Sequence, residues 1–261
     1  MDTVNSAEQG LACEALSVRV PGRNLVESLS MQVRPGTILA VLGRNGAGKS
    51  STLHALAGLN AAGSGEVRID GRRLVEWPRR ALARRLGLLT QAVEDAFPGT
   101  VLDAVLVGRH PHIDFWQWES NGDRDIARQA LADVDLAELD EREIGTLSGG
   151  ERRRLAVAAV LAQEPSIYLL DEPIQQLDPR HQIIVLEICR RLADTGRSVV
   201  MSLHDVGLAA RYANEALLLF GDGRWLHGPE GEVLRAANIE QLYGLPVREL
   251  TWSSGRTYVP A

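Results

Sequence analysis

The chain has 261 residues, 45% of them hydrophobic and 24% charged, with a formal net charge of −6 and a pI of about 5.6. That length and apolar content support a sizeable buried core, as one large domain or a core carrying a subdomain. The acidic balance argues against a nucleic-acid partner, because neutralising phosphates takes clustered Lys and Arg. The two cysteines, Cys13 and Cys189, form no CxxC pair, which argues against a zinc site or a disulfide framework and suits a reducing cytoplasm.

Residues 1–10 (MDTVNSAEQG) are polar and lack the basic and apolar regions of a signal peptide. Short alternating runs in 11–33 and 65–70 predict a small antiparallel sheet. Residues 37–42 (TILAVL) read as a buried strand that ends in a Gly-rich loop, and 50–59 as a helix. Residues 92–164 hold few strand signals and several helical ones, including 124–131 and 151–163, and read as a helical insertion. Residues 167–170 (IYLL) end in two acids, and 198–203 (SVVMSL) end at His204, with a helical pattern over 180–193 between them. Strands alternating with helices predict an α/β fold with a parallel sheet. Ligands of such sheets bind at the carboxyl ends of the strands, so these three ends are expected to meet at one site. The longest strongly apolar stretch, 155–162, is far short of the ~20 residues of a membrane-spanning helix. The chain is therefore expected to be soluble and to reach a membrane only through a partner.

The first chemical motif is Gly43-Arg44-Asn45-Gly46-Ala47-Gly48-Lys49-Ser50, followed by Ser51. It fits the phosphate-loop pattern G-x-x-x-x-G-K-[ST] and lies between a strand and a helix, as that loop must. Its glycines let backbone N–H groups turn inward to form an anion nest, and the helix directs its positive end at the phosphates. Lys49 would reach the β- and γ-phosphates of ATP, and the Ser50 hydroxyl would take a place on Mg²⁺. The second motif is Asp171-Glu172, 121 residues after Ser50 (171 − 50). A carboxylate at the end of a buried strand needs a partner or a metal. Asp171 suits Mg²⁺, and Glu172 suits the general base for an attacking water. The third is Leu147-Ser148-Gly149-Gly150-Glu151, where Ser148 can cap the following helix and the glycines expose N–H groups to a second anion.

A second phosphate-binding device resembles the signature motif of the ATP-binding cassette (ABC) family. The resemblance runs from about residue 11 to 234. Gln91 matches the Q-loop glutamine, a catalytic and Mg²⁺-facing position, Asp178 the D-loop aspartate, and His204 the switch histidine at the γ-phosphate. It implies a P-loop NTPase (RecA-like) sheet core with an antiparallel β subdomain over 11–91 and 165–228. A helical subdomain carrying the signature motif would span 92–164, and a C-terminal extension 229–261. The resemblance also implies a head-to-tail homodimer. Each ATP would lie between the phosphate loop of one subunit and Ser148, Gly149, Gly150 and Asp178 of the other.

Two departures stand out. The family usually carries an adenine-stacking aromatic near the end of the first strand, where this chain has Val20, and no Phe, Tyr or Trp precedes Trp77. Ile174-Gln175-Gln176 also replaces a stretch that usually begins with a small polar residue. Elsewhere the chain suggests plainer readings. His110 and His112 could face a metal, but no Cys or second His pair joins them, and the cluster with Trp116 and Trp118 reads better as packing or a partner surface. The runs Arg152-Arg153-Arg154 and Arg79, Arg80, Arg84, Arg85 read as solvated surface.

With no spanning helices and a single cassette, the chain resembles the separate ATPase subunit of a bacterial-type importer. That subunit would lie at the cytoplasmic face of the plasma membrane, peripheral to integral-membrane permease subunits. Those would be served in turn by a periplasmic or lipid-anchored solute-binding protein. Residues 52–58 (TLHALAG), 100–112 (TVLDAVLVGRHPH) and 202–210 (SLHDVGLAA) resemble the importers of cobalamin, ferric siderophores and haem. The alternative is a soluble regulatory ATPase that docks no permease.

Overall fold

A computed structural model describes residues 9–59, 63–91, 99–114, 116–252 and 255–261. Residues 1–8, read above as lacking a signal peptide, fall outside these. The chain begins with β1 (Leu11–Val20), β2 (Arg23–Val33) and β3 (Ile38–Gly43), then α1 (Lys49–Leu56), β4 (Ser64–Ile69), β5 (Arg72–Arg73), α2 (Arg79–Ala83) and β6 (Leu86–Leu89). Three helices follow: α3 (Val101–Leu106), α4 (Asn121–Asp133) and α5 (Gly149–Ala162). Then come β7 (Ile167–Leu170), α6 (Pro179–Asp194), β8 (Ser198–Ser202), α7 (Val206–Tyr212), β9 (Glu215–Leu219) and β10 (Trp225–Pro229). The chain closes with α8 (Glu230–Val233), α9 (Ala236–Tyr243), β11 (Val247–Trp252) and β12 (Gly255–Pro260).

The main sheet has the order β10-β9-β3-β8-β7-β6, parallel except where β10 returns against β9. Its inner strands are buried on both faces, as expected of a parallel sheet flanked by two layers. Side chains alternate between those layers. Ile38, Ala40 and Leu42 of β3 join the core shared with α3, α4, α5 and α6. Leu39 and Val41 point the other way, into a second core beneath α1 and the antiparallel sheet β2-β1-β4-β5.

Helix starts follow local chemistry. Thr100, Ser120 and Ser148 each form a reciprocal capping box with an acid three residues on, and Asp178 and Asp205 cap α6 and α7. Three features lay beyond the sequence reading. The main sheet gains β9 and β10, the latter a half-buried edge strand with a weak apolar signature. The C-terminal segment closes as a β11–β12 hairpin packed on α7, where a Cβ at Gly207 would lie 2.5 Å from the Thr257 hydroxyl oxygen. No helix among the described residues is long and apolar enough to cross a membrane.

Candidate active site

The strand order explains why distant motifs converge. β3, β8, β7 and β6 are consecutive parallel neighbours, so their carboxyl ends share one edge. The phosphate loop leaves β3 there, His204 follows β8, Asp171 and Glu172 follow β7, and Gln91 follows β6. A cleft of about 500 Å³ opens at that edge. Asn45, Gly46, Gly48, Lys49, Ser50, Ser51, Gln91, Glu172 and His204 line it, with Val20, Arg23 and Leu25 at its rim and Gln175 beside them. Gly43, Arg44 and Ala47 complete the loop. The structure does not bring Ser148, Gly149, Gly150 and Asp178 to this cleft. Ser148, Gly149 and Asp178 are exposed, and Gly150 is half-buried.

Within the loop, Gly46 (φ 76°) and Gly48 (φ 105°) lie in the left-handed region, where a side chain is strained. A Cβ on Gly48 would also stand 2.9 Å from the Leu25 Cβ. Lys49 is buried, and its Nζ donates to the carbonyls of Gly43 (2.9 Å) and Arg44 (3.5 Å). Burial pushes its pKa down, and the carboxylates of Glu172 and Asp171 pull the other way.

Asp171 is wholly buried. Ser202 Oγ donates to its Oδ1 (2.6 Å) and accepts the Glu172 N–H (2.8 Å), which binds β8 to the acids after β7. Asp171 Oδ2 is buried with no hydrogen-bond partner among the described residues. A bare buried carboxylate oxygen is costly, and its donor chemistry fits a hard divalent cation. Glu172 has φ 50°, a left-handed conformation that costs roughly 1–2 kcal/mol without glycine. Its Oε1 lies 2.7 Å from His204 Nε2, and its Oε2 accepts from Gln91 Nε2 at 3.1 Å. Glu172, His204 and Gln91 thus touch directly.

Two residues here escaped the sequence reading. Ser202 was visible only within the strand-like run 198–203 and the stretch 202–210, with no role of its own. Arg153 was read with its neighbours as surface, and the structure corrects that. It is 4% exposed and its guanidinium donates to the carbonyls of Thr90, Gln91, Asp171 and Glu172. Consecutive helical residues fan by about 100°, so the three arginines face different ways, and the one turned inward is Arg153. Arg152 donates to Leu147 and Gly145, and Arg154 to Val134 and Asp135. The earlier arginines lie on the surface as read: Arg79, Arg80, Arg84 and Arg85 are all exposed. Arg80 and Arg84 also hold the Pro111 carbonyl, and Arg85 faces Asp70 at 3.9 Å.

His112 Nε2 donates to the Gln163 carbonyl (2.9 Å), and no group of three His, Cys, Asp or Glu able to hold a metal occurs among the described residues. Trp116 and Trp118 are 90% and 89% exposed.

A phosphate loop at the carboxyl edge of a parallel sheet, flanked by an antiparallel layer and a helical layer, defines a P-loop NTPase. The chain belongs to the ABC transporter family, whose profile matches residues 26–175, and it is an ATP-hydrolysing cassette of that family. It is 42% identical over 243 residues to the hemin import ATP-binding protein HmuV of Pseudomonas entomophila (91% of this chain, 93% of that one). The HmuV of Streptomyces coelicolor is 40% identical over 238 residues (90% and 84%). Among solved structures, a protein described as a metal-chelate type ABC transporter in an inward-facing conformation superposes with a TM-score of 0.83 at 30% identity, covering 97% of this chain and 98% of that one. A dimeric ATP-binding cassette in a post-hydrolysis state with ADP and Pi shares the fold (TM-score 0.74, 22% identity, 85% and 99% coverage).

Proposed function

We propose that this chain is the ATPase subunit of an importer for haem or a related metal chelate, acting as a homodimer on membrane-embedded permease subunits. The observation that carries the chemistry is the contact of Gln91, Glu172 and His204 in one cleft with Lys49 and Ser50. The loop from Gly43 to Ser51 would cradle the phosphates with backbone N–H groups, and Lys49 would exchange its carbonyl partners for β- and γ-oxygens. Ser50, Gln91 and Asp171 would hold Mg²⁺, whose chemistry is to neutralise charge on the β- and γ-phosphates. Glu172 takes a proton from water as the water oxygen bonds the γ-phosphorus and ADP leaves. His204, released from Glu172 as nucleotide enters, orients that water and the γ-phosphate.

Ser148, Gly149 and Gly150 are accessible at the start of α5, away from the cleft, which suits contact with ATP held by a partner subunit. Asp178 would join that interface. The domain reading is kept: a core over 11–91 and 165–228, a helical subdomain over 92–164 and an extension over 229–261. Haem leads among the cargoes because the relatives named above are hemin import ATP-binding proteins. Cobalamin and ferric siderophores remain the alternatives within the same class. The subunit would sit peripherally at the cytoplasmic face, and a solute-binding protein outside would deliver cargo.

The test mixes Lys49→Ala chains with Gly149→Asp chains, each inactive alone. Activity in the mixture supports the shared site, and full activity of either variant alone sinks it. Purification of the native complex should bring down a multispanning protein. Reconstituted in liposomes, that complex should take up haem in preference to cobalamin or a ferric siderophore.

A further inference from the structure

Arg153 does not line the nucleotide cleft, yet it reaches the backbone behind it. Nη1 donates to the carbonyls of Thr90 (2.7 Å) and Gln91 (3.3 Å), and Nη2 to those of Glu172 (2.7 Å) and Asp171. Those carbonyls belong to the loops after β6 and β7. Arg153 itself stands on α5, one turn beyond Ser148, Gly149 and Gly150. One side chain thus pins three segments that the chain order separates. A buried guanidinium is an expensive way to fill space, since a well-packed apolar residue of similar volume is often as stable. Burial pushes the Arg153 pKa down, with Asp171 and Glu172 opposing.

Glu172 makes the arrangement informative. Its φ of 50° is strained, and such a conformation persists only where surrounding contacts over-determine it. Three contacts do so: Ser202 Oγ on its N–H, and Arg153 and the Gln175 N–H on its carbonyl. Loss of Arg153 leaves that carbonyl to the Gln175 N–H alone, which lets the peptide shift and carries the carboxylate away from Gln91 and His204. Arg154, next along the helix, donates to the carbonyls of Val134 and Asp135, away from both loops.

We propose that Arg153 is a positioning residue that ties the signature helix to the catalytic loop of its own chain, so that contact at the start of α5 sets the geometry of Glu172 and Gln91. The idea rests on the dimer reading above. If the first turn of α5 meets the partner's nucleotide, then Arg153 relays the state of one site to the other. Rigid elements with shared hydrogen bonds are a physical means of such coupling.

The experiment uses the full chain with Arg153→Gln, Arg153→Lys and Arg154→Gln. It measures kcat, the Kd for a non-hydrolysable ATP analogue with Mg²⁺, and the Hill coefficient of hydrolysis. We expect Arg153→Gln to lower kcat about tenfold or more while Kd stays within about threefold, the split that marks loss of catalytic alignment. Its Hill coefficient should fall toward 1 from a wild-type value above 1. Arg153→Lys, which keeps the charge but one donor group, should recover part of kcat, and it carries the test if the Gln variant does not fold. Arg154→Gln should keep wild-type cooperativity. The relay is overturned by wild-type kcat and Hill coefficient in Arg153→Gln, by kcat and Kd worsening together, or by a wild-type Hill coefficient of 1. An active Lys49→Ala chain would instead sink the site assignment, whatever Arg153 does.

Discussion

The His204 imidazole and the Glu172 carboxylate meet at 2.7 Å, from loops that follow neighbouring parallel strands. Gln91 Nε2 donates to the second carboxylate oxygen, so one acid gathers groups from the ends of three strands. Lys49, by contrast, is held by the carbonyls of Gly43 and Arg44. Substitutions at Glu172 and at Lys49 therefore disturb different sets of contacts.

Glu172→Gln keeps the size and the contact with His204 but cannot accept a proton. Turnover should fall by about 10²-fold or more, the usual worth of a general base, while Mg-ATP affinity stays near wild type. The variant should accumulate an ATP-loaded dimer on size-exclusion chromatography, and His204→Ala should share that behaviour. A Glu172→Gln chain that hydrolyses ATP at the wild-type rate removes Glu172 from the catalytic role.

The phosphate loop, the two acids after β7 and the serine that caps α5 were legible because each depends on local chemistry at fixed spacing. β3, β7 and β8 were legible because a strand buried on both faces is a short unbroken apolar run. Arg153 and Ser202 were not, because their importance comes from which loops the strand order brings alongside. Nothing within residues 152–154 says that the middle arginine faces Glu172. β10 and the β11–β12 hairpin were missed because edge strands and small ribbons bury only part of each side chain, which leaves a weak periodic signal.

Ser202 bridges Asp171 and the Glu172 peptide with one hydroxyl. Ser202→Ala leaves two buried polar groups without that partner, at a cost of about 1–3 kcal/mol. Chemical denaturation should register that loss. The Mg²⁺ concentration needed for half-maximal ATPase should rise as well, since Asp171 would lose the bond that orients it. Unchanged stability together with unchanged Mg²⁺ dependence would contradict the bridging role.

Val20 stands at the rim of the cleft beside Arg23, whose Nη2 donates to the Gly221 carbonyl at 3.0 Å. It is 38% exposed, so a larger side chain has room to extend over a bound base. Base stacking on an aromatic ring is worth on the order of 1–3 kcal/mol. Val20→Tyr should therefore tighten ATP binding by roughly tenfold and sharpen the preference for ATP over GTP. Titration of both nucleotides tests this, and equal affinities in variant and wild type would place the base elsewhere.

The segment after α3 is anchored at its start and carries two exposed tryptophans further on. Arg80 and Arg84 hold the Pro111 carbonyl and His112 meets the Gln163 carbonyl, so the backbone here is tied to α2 and α5. Beyond these anchors Trp116 and Trp118 stand almost fully in solvent. Two large aromatics carried just beyond a fixed base have the character of interface anchors, which bury apolar area against a partner. Trp116→Ala and Trp118→Ala should leave the basal ATPase of the isolated subunit within about twofold, because neither lines the cleft. In the assembled complex they should lower co-purification with the permease, transport, or both. If both variants assemble and transport as the wild type does, the permease docks on another face.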